Sequence, residues 1–88
     1  PRFTPEELKM MAIVKLTEPM SMELLIHELG LDKKLMEKWN EDYDMYEYNI
    51  YPEETYSLRL PKDKLESFLN QKEYLQRKSK QVFSAQNM

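Results

Sequence analysis

The sequence has no cysteine, one glycine and one histidine among its 88 residues. Without cysteine there is no disulfide framework, thiolate metal site or thiol nucleophile, and His27 alone cannot supply the imidazole pair of most zinc enzymes. The missing cysteine does not fix a redox compartment, since a periplasmic or secreted module can do without disulfides. A loop that cradles phosphate needs several glycines, so Gly30 by itself excludes P-loop and Rossmann nucleotide chemistry. No apolar run approaches the roughly 18 residues that cross a bilayer, so direct membrane insertion is not expected. No basic segment followed by an apolar stretch opens the chain. Beginning at Pro1, it reads as a soluble piece of a longer protein.

What is present fits one small domain. At 10.7 kDa, surface scaling gives a folded area of about 5,500 Å² against about 15,500 Å² unfolded, so the core is thin. The net charge of −3 hides a split. Residues 1–57 carry six basic and thirteen acidic side chains, net −7, and residues 58–88 carry seven and three, net +4. Between Asn40 and Thr55 lie six acids and four tyrosines with no Lys or Arg. That stretch repels phosphate backbones and predicts a solvated loop whose tyrosines partly cap the core. Asp42 and Asp44 resemble the start of a calcium loop, but the glycine and the distal bidentate Glu are missing, so no metal or other cofactor is expected.

Local patterns place the elements. Thr4-Pro5-Glu6-Glu7 predicts a capped helix over about 5–10, with Phe3 and Leu8 spaced as a hydrophobic staple. Ala12, Val14 and Leu16 alternate as one face of a strand. Ser21 caps a helix over 22–29, in which Met22, Leu25, Ile26 and Leu29 form an apolar stripe, and Gly30 suits the left-handed position after it. Asp32 caps a second helix to about Asn40, with Leu35, Met36 and Trp39 inward. Tyr56, Leu58 and Leu60 mark a second strand. Pro61 is expected to open a final helix with Leu65, Phe68, Leu69 and Leu75 inward and Val82 two turns on. Lys72 and the basic run Arg77, Lys78 and Lys80 predict that this helix leaves the domain surface after about Tyr74 and frays from about Phe83. His27 is expected in solvent, and Met20, Met22, Met36 and Met45 in core gaps.

The fold class is therefore α+β: a two-stranded antiparallel sheet packed on a helical hairpin, with a helical lead-in at 1–11 and a C-terminal helix and tail at 62–88. The βααβ unit at 12–61 resembles the lysin motif, or LysM domain. The resemblance is carried by Ile13-Val14-Lys15, Leu24 to Leu29, Gly30-Leu31-Asp32, Leu35 to Asn40, Asn49-Ile50-Tyr51-Pro52 and Leu58-Arg59-Leu60-Pro61. Trp39-Asn40-Glu41-Asp42-Tyr43 and Tyr56-Ser57-Leu58-Arg59-Leu60-Pro61 are similar to the LysM-like segment after the catalytic domain of membrane-associated lytic murein transglycosylases. The resemblance implies a non-catalytic peptidoglycan-binding module, a carbohydrate-binding segment for N-acetylglucosamine polymers of the cell wall. It also implies a periplasmic or outer-membrane location. The glycan groove would lie between Thr17, Glu18, Pro19 and Met20 on one rim and Asn49, Ile50, Tyr51 and Pro52 on the other.

Two departures fall on those rims. Thr17-Glu18-Pro19-Met20-Ser21 replaces the family's Gly-Asp-Thr turn, and Glu53 replaces a glycine, adding bulk and negative charge where an N-acetyl arm would approach. The alternative is a structural spacer or docking module that positions the parent enzyme's catalytic domain. A second alternative is helix-turn-helix DNA binding through Lys33, Lys34 and Lys38, against which the neighbouring acids argue, so nucleic acid is not an expected partner. No catalytic residue is assigned within the segment, since no spacing identifies a desolvated carboxylic acid.

Overall fold

The computed structural model describes residues 3–49 and 54–86. Helix α1, Pro5–Met10, starts at a complete capping box: the Thr4 hydroxyl accepts the Glu7 N–H and the Glu7 carboxylate accepts the Thr4 N–H. It runs directly into strand β1, Met11–Leu16. After residues 17–21, Ser21 caps α2, Met22–Leu29, by accepting the Leu24 N–H. Gly30 follows at φ 64°, where a side chain would be strained, and Leu31 returns its N–H to the Ile26 carbonyl. Asp32 then caps α3, Lys33–Trp39. Next come a one-turn helix α4, Tyr43–Glu47, and strand β2, Tyr56–Pro61. A 3₁₀ turn at Lys62–Lys64 leads into α5, Leu65–Gln86.

The two strands pair antiparallel, from Met11 opposite Pro61 to Leu16 opposite Tyr56. Ala12, Val14 and Leu16 share the inner face with Tyr56, Leu58 and Leu60, and against them pack Met20, Leu25, Leu29, Met36, Tyr43, Phe68 and Leu75. Each fully buried Leu or Phe contributes about 2 kcal/mol of transfer free energy, so a core this small depends on every member. The α+β class, the antiparallel pairing and the helical layer agree with the alternation read from the sequence.

Asn40 joins that layer to the sheet. Its side-chain amide donates to the Arg59 carbonyl and accepts the Arg59 N–H, both at 2.9 Å, and donates again to the Met36 carbonyl at 3.0 Å. The amide occupies the place of a third strand along the outer edge of β2. Because Arg59 turns both backbone groups toward Asn40, its partner Ile13 stands in a non-hydrogen-bonded pair. The ladder bonds then fall at Ala12–Leu60, Val14–Leu58 and Leu16–Tyr56.

Several expectations are corrected. The acidic tyrosine-rich stretch is not a plain loop: it holds α4, and Tyr43 is a fully buried core residue. Pro61 ends β2 rather than opening a helix, and α5 proper begins at Leu65. That helix does not leave the surface after Tyr74; Leu75 and Ser79 are both fully buried, and the helix continues to Gln86. Phe68, Leu75 and Ser79 lie at i, i+7 and i+11, and Lys72 lies along the same stripe half-buried, which its aliphatic stem allows. Leu69 sits off the stripe and is 56% exposed. Met45 is 83% exposed and fills no core gap. Leu8 is exposed, and the Phe3 ring lies under the Arg59 guanidinium, 5.5 Å from its centroid.

Replacing Asn40 with Leu keeps the branching at Cγ, in a somewhat larger side chain, but strands both backbone groups of Arg59. A loss of roughly 1–3 kcal/mol is expected in urea denaturation, since two part-buried backbone groups lose their partners.

Candidate binding site

The first rim of the expected groove is built by residues 17–21. Thr17 is exposed and Glu18 is partly exposed, its carboxylate 3.8 Å from the Lys80 ammonium. Pro19 is buried and Met20 fully so, which removes both side chains from any ligand surface. The polar groups of the Met20 backbone are also occupied. The Tyr43 hydroxyl accepts the Met20 N–H at 2.9 Å and donates to the Met20 carbonyl at 2.5 Å. On the second rim Asn49 is exposed, its N–H bonded to the Tyr46 carbonyl at 3.1 Å. Ile50, Tyr51 and Pro52 lie outside the described residues, as does Glu53.

Tyr43 belongs to a layer of three tyrosines. Its ring meets Tyr56 edge-on with centroids 4.9 Å apart, and Tyr46 lies 5.8 Å from Tyr43 and 5.4 Å from Tyr56. Each hydroxyl has a partner: Tyr46 donates to the Leu16 carbonyl at 3.1 Å and Tyr56 to the Asp42 carboxylate at 2.6 Å. Burial pushes the pKa of Tyr43 and of Tyr56 above the ordinary phenol value, so both stay neutral donors. The layer joins the end of β1, the start of β2 and residues 17–21. Sequence reading missed α4 because its only signal is short: Tyr43, Tyr46 and Glu47 at i, i+3 and i+4.

A concavity of about 440 Å³ opens between α2, α3 and α4. Met22 and Ile26 give it an apolar part, and Glu23, Glu37, Glu41, Asp44 and Glu47 surround it, with Lys33 the one cation lining it among the described residues. Glu47 accepts the Met22 N–H at 2.9 Å. Partial burial raises its pKa, the Met22 N–H opposes that rise, and Asp44 and Glu23 add repulsion. The cleft presents strongly negative potential beside the very helices that would form a helix-turn-helix.

On the opposite side, Glu7 ties α1 to α3. Its carboxylate accepts the Trp39 indole N–H at 3.1 Å and pairs with the Lys38 ammonium at 3.0 Å. The Thr4 N–H, then Lys38 and then Trp39 hold its pKa down to about 2. His27 is exposed, its imidazole 4.0 Å from Glu28. Among the described residues no three His, Cys, Asp or Glu side chains come together to hold a metal ion, and no helix is long and apolar enough to cross a membrane.

Comparison with known proteins finds no match among family models, curated proteins or solved structures.

Two outcomes follow from these contacts. Tyr43→Phe keeps the ring and leaves both polar groups of Met20 unpaired, so a loss of about 1–3 kcal/mol in thermal or urea unfolding is expected. The depressed Glu7 pKa means that its contribution to stability is complete above the usual carboxylate value of 4.5 and is lost as pH falls toward about 2. Unfolding curves between pH 5 and pH 2 should therefore lose part of their pH dependence in Glu7→Gln.

Proposed function

We propose that this chain is a LysM-like, non-catalytic module of a bacterial cell-envelope enzyme that cleaves peptidoglycan, and that it positions the catalytic domain rather than acting on the glycan. The observation that carries this reading is the pairing of Tyr43 with Met20. In a sugar-binding groove of this type, backbone N–H and C=O groups on the rim must be free to bond an acetamido arm. Here the Met20 pair is spent inside the protein, and the neighbouring Glu18 adds a negative charge. The βααβ order, the antiparallel pairing of residues 11–16 with 56–61 and the tight α2–Gly30–α3 junction support the LysM-like assignment. The full burial of Leu75 and Ser79, which makes α5 part of the domain, supports a positioning role.

Direct binding of N-acetylglucosamine polymers is the second reading. Exposed Thr17 and Asn49, on the two expected rims, favour it. Duplex DNA is disfavoured on electrostatic grounds, because the acidic cleft beside α3 opposes the counterion release that drives such binding.

A titration of nitrogen-15-labelled protein with N-acetylglucosamine oligomers and soluble muropeptides separates the two. The positioning reading expects no shifts at millimolar sugar, together with measurable binding to the isolated catalytic domain of the parent enzyme. Shifts confined to residues 17–21 and 49–53 would overturn it in favour of glycan recognition.

A further inference from the structure

The two edges of the sheet are treated differently. Asn40 closes the outer edge of β2 with its side-chain amide. The same bonds fix the ladder phase, so the backbone N–H and C=O of Ile13 and Lys15 point away from β2. Among the described residues nothing bonds them. Strand β1 is regular over Met11–Leu16, with no proline, glycine or bulge. Ile13 is 60% exposed, and Lys15 is exposed with no ion-pair partner among the described residues.

We propose that the free edge of β1 is a docking site for an extended acidic segment of another protein, which adds to the sheet as a third strand. Such a strand would set an apolar side chain beside Ile13 and a carboxylate beside Lys15. The row of unpaired backbone groups selects an extended chain, because only a strand offers donors and acceptors at the matching repeat. Charge selects its composition. On the outward face of β1 the charged side chain is Lys15, opposite Ser57 and with no acid at either outward strand position beside it, whereas Arg59 is engaged by the Phe3 ring and the Trp39 carbonyl. A lysine on an edge strand is a common guard against indiscriminate pairing. Here it disfavours a second copy, whose antiparallel addition would bring two Lys15 side chains onto one face of the joined sheet. A strand with a carboxylate at that position meets no such penalty. The site is distinct from the expected glycan rims and from the acidic cleft, and the inference does not depend on the LysM-like reading.

The test uses two capped seven-residue peptides in a threonine background, one with Ile and Glu two residues apart and one with Lys in place of that Glu. They are added at millimolar concentration to the nitrogen-15-labelled chain. In the free protein the Ile13 and Lys15 amides should exchange quickly and the Val14 amide slowly. With the acidic peptide, Ile13 and Lys15 should slow at least about tenfold and shifts should centre on β1, since an added ladder bond protects its amide. The lysine peptide should bind about fivefold more weakly, the scale of one exposed ion pair, and Lys15→Glu should reverse the preference. Ile13→Pro removes an outward N–H without touching the β1–β2 ladder and should abolish binding. If that variant does not fold, a backbone-methylated acidic peptide provides the same control and should not bind. The proposal is overturned if the Ile13 and Lys15 amides stay fast at millimolar peptide or if both peptides bind equally. Shifts centred on the acidic cleft would also sink it. So would a peptide-free dimer dissolved by Ile13→Pro, which would identify a second copy as the occupant.

Discussion

A single side-chain amide organises this small domain. Asn40 stands at the end of α3 and bonds three backbone groups: one within its own helix and two on β2. An antiparallel pair of six-residue strands is marginal in water and needs both a covered face and some control of its edges. The helices cover the face, and Asn40 controls one edge while fixing which residues of β1 and β2 exchange ladder bonds. The position of Trp39 follows from the same anchor. One residue before Asn40, its indole is directed to Glu7, and α1 is thereby fastened to the far side of α3.

The tyrosine layer has a second consequence for a thin core. Tyr43, Tyr46 and Tyr56 supply large apolar area while their hydroxyls satisfy polar groups at Met20, Leu16 and Asp42. Aromatic residues with a polar tip can fill a region that is partly interior and partly loop, which an aliphatic side chain cannot do without leaving backbone groups unpaired. The end of the domain expected to recognise glycan is therefore stitched together internally.

Much of the architecture was legible in the sequence because local and tertiary preferences coincide there. Thr4, Ser21 and Asp32 cap where short-range rules place them, Gly30 takes the left-handed conformation, and the alternation in both strands matches one covered face. The errors share a cause: local pattern was outweighed by contacts distant in sequence. Tyr43 is buried because Met20, 23 residues away, offers its backbone. The continuation of α5 along the domain depends on Ser79 meeting Ser21, 58 residues earlier, and a small polar residue gives no hydrophobic signal. Of the residues expected on the first rim, Met20 is buried as its expected place in a core gap implied, whereas the burial of Pro19 was not foreseen. No local pattern distinguishes a proline or methionine that lines a groove from one that closes it.

The contact between Ser79 and Ser21 also sets the rotational phase of the long helix. With the Ser79 hydroxyl accepting the Ser21 N–H and the side chain fully buried, the azimuth of α5 is fixed nearly four turns beyond its start. The residues from Lys80 to Gln86 then project in directions referenced to that serine, and inserting or deleting a single residue just after Ser79 would swing the terminal segment by about 100°. The helix is held like an indexed shaft, fixed in rotation about its own axis as well as in position.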